Sequence, residues 1–273
     1  MKEKISLAGD LGSGKSTVSA ILVDKLCAEY YSTGAIVRDI AAKRGMSVGE
    51  LNIYMETHPE IDHEIDDGLV ALGSVDKRLI IDSRMAWHFT PGTFKVYLST
   101  DIETSAARIL GANRREEKSS SLEETVANTR ARVESEKKRY FEQYGVHIKD
   151  LSNYSLIVDT TYATPATIAN AICDGFERWK NDADYKCVLM SPERLNYPDD
   201  SADNEAVESR AAALERGEAI EEVTVRECNG EFYIESGVES ALAYGFTMSD
   251  FVPCRLVCGA PTGKKYVKMR NSL

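Results

Sequence analysis

Residues 4–26 read KISLAGDLGSGKSTVSAILVDKL. The first six form a short apolar run closed by glycine, as a buried parallel strand does, and from Lys15 onward Val18, Ile21, Leu22 and Leu26 recur at helical spacing. Between them Gly9, Gly14, Lys15 and Ser16 fit G-x-x-x-x-G-K-[ST], in the context that gives this motif its mechanism, a strand running into a helix. Glycines in such a loop, Gly12 included, let backbone N–H groups such as that of Ser13 converge on phosphate oxygens. Lys15 is placed to reach the β and γ oxygens and Ser16 to ligate Mg²⁺, while Thr17 is a second hydroxyl for the α-phosphate. The loop predicts ATP as a ligand with Mg²⁺ beside it, but GTPases, ATPases and small-molecule kinases all remain open.

The chain has 273 residues, 43% of them hydrophobic, enough for one medium α/β domain and a smaller second one, expected at 1–180 and 181–273. Its net charge of −11 is acidic in both parts, by four residues up to Lys180 and by seven beyond it. A sequence-independent nucleic-acid binder needs the opposite balance, so nucleic acid is not an expected partner. The six cysteines contain no C-x-x-C pair, and Cys254 and Cys258 lack the companion ligands of a zinc site, which reads as reduced thiols in a cytoplasmic protein. No apolar run approaches a membrane span.

Further strands are predicted at RLIIDS (78–83), FKVYLS (94–99) and YSLIVDT (154–160), each followed by helical or polar sequence. This alternation predicts an α/β fold, a parallel sheet with helices on both faces. Two insertions interrupt it. Residues 34–75 read as a run of short helices, and 113–145 as a charged turn followed by a long helix. On that helix Leu122, Val126, Val133, Tyr140 and Tyr144 form the expected packing stripe, beside a face of Arg132, Glu136, Arg139 and Gln143. A last amphipathic helix opens at Pro165. From residue 181 the polar NDADYKCVLMSPERLNYPDDSADNE reads as turns and linker. It is followed by a helix over 203–216, two strands flanking Asn229-Gly230, another helix and VPCRLVC, which together predict a small α+β unit.

A kinase that passes a phosphoryl group between two phosphorylated molecules must hold two polyanions together, which calls for arginines from several segments. Arg38, Arg84, Arg114, Arg115, Arg132 and Arg139 sit in the two insertions or at a strand end, where an α/β sheet presents its ligand-binding residues. Asp82, at the end of a predicted strand, suits either the water shell of Mg²⁺ or a strand-end cap. HPEIDHEIDD (58–67) gathers carboxylates and histidines that could hold a metal, although a charged exposed helix is the expected reading.

Three separated segments then carry a resemblance. STGAIVRDIAAKRGMSVGELNIYMETHPEIDHEID (32–66), IIDSRMAW (80–87) and RARVESEKKRYFEQYGVHIKDLSNYSLIVDT (130–160) resemble the archaeal-type cytidylate kinases of the P-loop nucleoside monophosphate kinase group, over residues 4 to about 178. The resemblance implies that Gly9 to Thr17 bind the ATP phosphates and that Ser32, Gly34, Arg38 and Asp66 belong to the acceptor site. It also implies that Arg84 grips the acceptor, and that Arg115, Arg132 and Arg139 act with Lys15 on the phosphoryl group in flight. The implied reaction is Mg²⁺-dependent transfer from ATP to CMP or dCMP. Two departures flank the acceptor pocket: Asp67-Gly68 stands where the family has basic residues, and Asp82-Ser83 where it has an acid followed by glycine. Residues 185–260 are similar to the ParB/sulfiredoxin-like fold, with Gly237-Val238-Glu239-Ser240 in place of its basic turn. That likeness implies a small nucleotide or substrate pocket, but with Glu239 and Ser240 in the turn the expected reading is an interaction or regulatory module that has lost catalysis, a route to a protein partner or to self-association. The alternative expectation is thus an ATP-binding regulator, or a kinase for another phosphorylated acceptor.

Overall fold

The computed structural model describes residues 3–112, 121–198, 202–261 and 265–269. β1 (Lys4–Gly9) leads into α1 (Lys15–Leu26), β2 (Glu29–Ser32) and three short helices, α2 (Thr33–Lys43), α3 (Val48–Met55) and α4 (Glu60–Leu72). Next come β3 (Leu79–Asp82), α5 (Ala86–Phe89), β4 (Phe94–Ser99), α6 (Ile102–Gly111), the long α7 (Leu122–Tyr144), β5 (Leu156–Asp159) and α8 (Pro165–Asn181). The remainder holds β6 (Cys187–Met190), β7 (Leu195–Pro198), α9 (Asn204–Glu215), β8 (Val223–Cys228), β9 (Glu231–Ser236), α10 (Val238–Phe246), β10 (Val252–Leu256) and β11 (Tyr266–Lys268). Local signals fix many of the ends. Ser47 and Glu50 close a capping box on α3, Thr164 caps α8 ahead of Pro165, and α7 runs from the Ser121 cap to Gly145 in the left-handed region.

All the described strands join one sheet in the order β2-β3-β1-β4-β5-β6-β10-β8-β9-β7-β11. From β2 to β6 every pairing is parallel, as the strand–helix alternation predicts; beyond β6 the sheet is mixed. Side chains alternate between its faces. Ile5, Leu7, Val96, Leu98, Leu156 and Val158 pack under α1 and α8. On the other face Ile81, Tyr97 and Ile157 belong to a cluster that continues through Val188, Met190, Val225, Phe232 and Ile234 without a break at residue 181. A small separate cluster, including Ala41, Leu51, Met55 and Ile61, holds α2, α3 and α4 together. Among the described residues no helix is long and apolar enough to cross a membrane.

Two sequence expectations are corrected here. The segment read as linker contains β6 and β7, and β6 is an interior strand between β5 and β10. Its four residues are too few, and its flanks too charged, to show a pattern. On α7 the buried positions are Thr125, Thr129, Glu136 and Arg139, whereas Leu122 is exposed and Val126, Val133, Tyr140 and Tyr144 are half-buried. Ion pairs with neighbouring elements let this helix turn its charged face inward.

Candidate active site

The loop after β1 is shaped by backbone that other residues cannot follow. Gly9 has φ 150°, and a Cβ there would stand 2.5 Å from Leu98 O; at Gly12, φ 69°, it would stand 2.5 Å from Ser105 O. Gly14, also at positive φ, is the N-cap of α1 and has no side chain to occupy the helix's first N–H groups, which are left for an anion. Asp10 anchors the loop from behind. It accepts from Tyr97 Oη (2.8 Å) and from Thr100 N–H (3.0 Å), and it pairs with Lys149. Burial alone would raise the Asp10 pKa, but the Lys149 ammonium and these hydrogen bonds outweigh it and hold the carboxyl below its ordinary range. Lys15 donates to Gly9 O (3.1 Å) and Asp10 O (3.0 Å). Burial pushes its ammonium down to about 8, with Asp82 opposing the shift and Arg84 adding to it.

In front of the loop lies a cleft of about 500 Å³. It brings together Gly12, Ser13, Gly14, Lys15, Ser16 and Thr17 with Gly34 and Arg38 of α2, Asp82 at the end of β3, Arg84 just after it, and Arg132 of α7. Arg38 is half-buried and has no ion pair with any described residue, so its guanidinium is open to a ligand anion. Arg84 and Arg132 are both held by Glu136, at 2.5 Å and 3.0 Å. Glu136 is 3% exposed. Burial pushes its pKa up, but Arg84, Arg132 and Arg139 outweigh that and keep it ionised. One buried carboxylate thereby fixes two guanidinium groups on the rim before any ligand arrives.

Other expected site residues lie elsewhere. Gly9 is behind the loop, and Ser32 caps α2 by accepting from Ala35 N–H at 3.3 Å. Asp66 and Arg139 do not line the cleft. Arg139 is captured by Asp62 of α4 (2.9 Å) and by Asn52 O of α3 (3.0 Å), so it ties the short helices to α7. Asp66 accepts from Tyr144 Oη at 2.6 Å, and burial raises its pKa to about 6. HPEIDHEIDD is thus not uniformly exposed: Asp62 and Asp66, one turn apart, face α7, while His63 and Asp67 face solvent. Arg114 and Arg115 lie outside the described residues.

Ser16 and Asp82 line the same cleft, and Asp82 Oδ2 accepts from Tyr30 Oη at 2.9 Å. A hydroxyl and a carboxylate leave most of an octahedral shell to water and phosphate, the oxygen set that Mg²⁺ favours, so these residues fit that ion. Sequence reasoning did not find Arg108. It lines the cleft beyond the loop, together with Ile109, Thr160, Ala163 and Pro165, and donates to Thr160 O at 2.7 Å. A lone arginine outside any motif gave no signal for it.

Residues 5–139 match the family model described as an AAA domain. A cytidylate kinase from Methanothrix thermoacetophila is 39% identical over 156 residues, 57% of this chain and 87% of the relative. The chain belongs to the cytidylate kinase family. A second cytidylate kinase, from Archaeoglobus fulgidus, is 33% identical over 184 residues, which is 67% of this chain and 99% of that one. A shikimate kinase from Acinetobacter baumannii superposes with a TM-score of 0.44 at 20% identity, covering 67% of this chain and 96% of the other. As a member of the cytidylate kinase family the chain is a P-loop kinase.

Proposed function

We propose that the protein transfers the γ-phosphoryl group of ATP to a pyrimidine nucleoside monophosphate, CMP or dCMP. The observation that carries this reading is the convergence of Arg38, Arg84 and Arg132 on the cleft that the phosphate-binding loop opens into, with Glu136 holding two of them. A hydrolase needs room for water beside the γ-phosphate; three guanidinium groups opposite it suit a second phosphate.

In this reading the triphosphate lies on the N–H groups at the start of α1, with Lys15 on its β and γ oxygens. Mg²⁺, held by Ser16 and the water shell of Asp82, would neutralise charge on the phosphates. The base of ATP rests at the far end of the cleft against Arg108 and the Thr160–Pro165 segment. Arg38 and Arg84 hold the acceptor phosphate in line. An oxygen of that phosphate bonds to the γ-phosphorus as the bond to the β–γ bridging oxygen breaks, giving ADP and a nucleoside diphosphate. No general base is required, because the acceptor is already an anion, and Arg132 stabilises the charge on the group in transit. We read residues 1–180 as this kinase unit and 181–273 as a second α+β unit built onto its sheet.

The test is ADP release from full-length protein with Mg²⁺, ATP and a panel of CMP, dCMP, UMP, AMP and non-nucleotide phosphates. CMP or dCMP is expected to give the highest kcat/KM. If no acceptor raises ADP release above the background with ATP alone, the reading fails.

A further inference from the structure

The segment that closes the far end of the cleft is held from two sides. β5 ends at Asp159, which is fully buried, and the chain continues through Thr160 and Thr161 towards α8. From the cleft side, Arg108 of α6 donates to Thr160 O (2.7 Å), Thr161 O (3.2 Å) and Thr160 Oγ1 (3.3 Å). From the opposite side comes Arg194, in the turn between β6 and β7. Its Nη1 donates to Thr161 Oγ1 (2.8 Å) and faces Asp159 Oδ1 at 3.3 Å, and its Nη2 donates to Gly230 O (2.9 Å) in the β8–β9 turn. Arg194 is 2% exposed. Burying a guanidinium is costly unless its donors are used; Nη1 and Nη2 are spent on joining three segments, and only Nε finds no hydrogen-bond acceptor among the described residues.

We propose that Arg194 is a positioning residue of the ATP site, through which the C-terminal unit fixes the wall that receives the nucleotide base. The inference rests on the assignment of the Arg108 end of the cleft to that base. Two facts place Arg194 in the site's support rather than in a remote ion pair. Thr160, which lines the cleft, lies between Asp159 and Thr161, the two residues of this segment that Arg194 touches, and Arg108 is fixed to Thr160 and Thr161. A shift of Thr160 and Thr161 would therefore move both the wall and the guanidinium beside it. The phosphate loop, anchored separately through Asp10, Tyr97 and Lys149, would stay in place.

This separation supplies the test. The full-length chain is compared with Arg194→Lys and with the double variant Arg194→Met, Asp159→Asn, which leaves no lone buried charge. Calorimetry measures binding of ATP and of inorganic tripolyphosphate, each with Mg²⁺ and without an acceptor. Both variants are expected to bind ATP about tenfold more weakly and tripolyphosphate within about twofold of the parent, a loss confined to the base. Equal weakening of both ligands would show a general structural role and overturn the proposal. So would unchanged ATP affinity, or a parent chain that binds ATP no tighter than tripolyphosphate. Because no acceptor takes part, failure to phosphorylate any monophosphate would sink the kinase reading while leaving the ATP-to-tripolyphosphate split to stand or fall by itself.

Discussion

Glu136 is an acid inside the protein whose neighbours are mostly cationic: Arg84 and Arg132 touch it, and Arg139 lies close enough to lower its pKa further. Replacing it by Gln would leave guanidinium groups facing one another with only a neutral amide between them. Glu136→Gln is expected to lower kcat/KM for the acceptor by about 10- to 100-fold and to cost about 3 kcal/mol of stability. Steady-state kinetics with a urea titration would show both, and an unchanged kcat/KM would remove the carboxylate from the mechanism. Arg38 has no such support, so Arg38→Ala should raise the acceptor KM about tenfold or more while leaving ATP affinity nearly unchanged. Equal losses for both ligands would contradict its placement. Lys15 sets a pH limit. Its folded pKa, about 8, lies below the ordinary 10.5, and only the charged form attracts phosphate. ATP affinity should be flat up to about pH 7 and fall about tenfold per unit above about pH 8, with Lys15→Met lacking the slope. A parent with no slope between pH 8 and 9 would show that Lys15 stays charged there.

At the scale of elements, the packing of α4 on α7 carries its own pH signature. Asp66 has a folded pKa of about 6 against an ordinary 3.8, so the stability tied to its proton is present below about pH 4 and lost as pH rises through 6. Asp66→Asn, which can still accept from Tyr144, should stabilise the protein by about 1 kcal/mol at pH 8, the gain fading towards pH 4. A loss of stability at pH 8 would instead give the carboxylate a favourable partner when ionised. The sequence shows most elements because their signals are local: a glycine loop between strand and helix, apolar runs such as FKVYLS, the Thr164-Pro165 start of α8. β2, β6, β7 and β11 are three or four residues long, and EYYS, of β2, leaves two of its four residues exposed. Their strand state comes from neighbours distant in sequence. The site divides in the same way. A contiguous motif announces Gly9 to Thr17, whereas Arg108 and the clamping role of Glu136 depend on which helices meet, which periodicity does not encode.

The whole molecule is organised by the β5–β6 pairing, where the parallel sheet passes into the mixed one. A chain ending at Asn181 would present β5 as an open edge and leave Tyr97 and Ile157 without Val188 and Met190 beside them. Such edges invite association. The 1–181 fragment is expected to aggregate or to melt well below the full chain, by light scattering and thermal unfolding; a monomer with the parent's melting temperature would show the second unit to be dispensable to the first. In the full chain, hydrogen bonds and side-chain packing cross residue 181 together, so the two regions lack the independence of beads on a string. Heating should therefore give a single calorimetric transition. A nucleotide bound at the loop after β1 would then slow amide hydrogen exchange in β8 and β9 as well, although it touches neither strand.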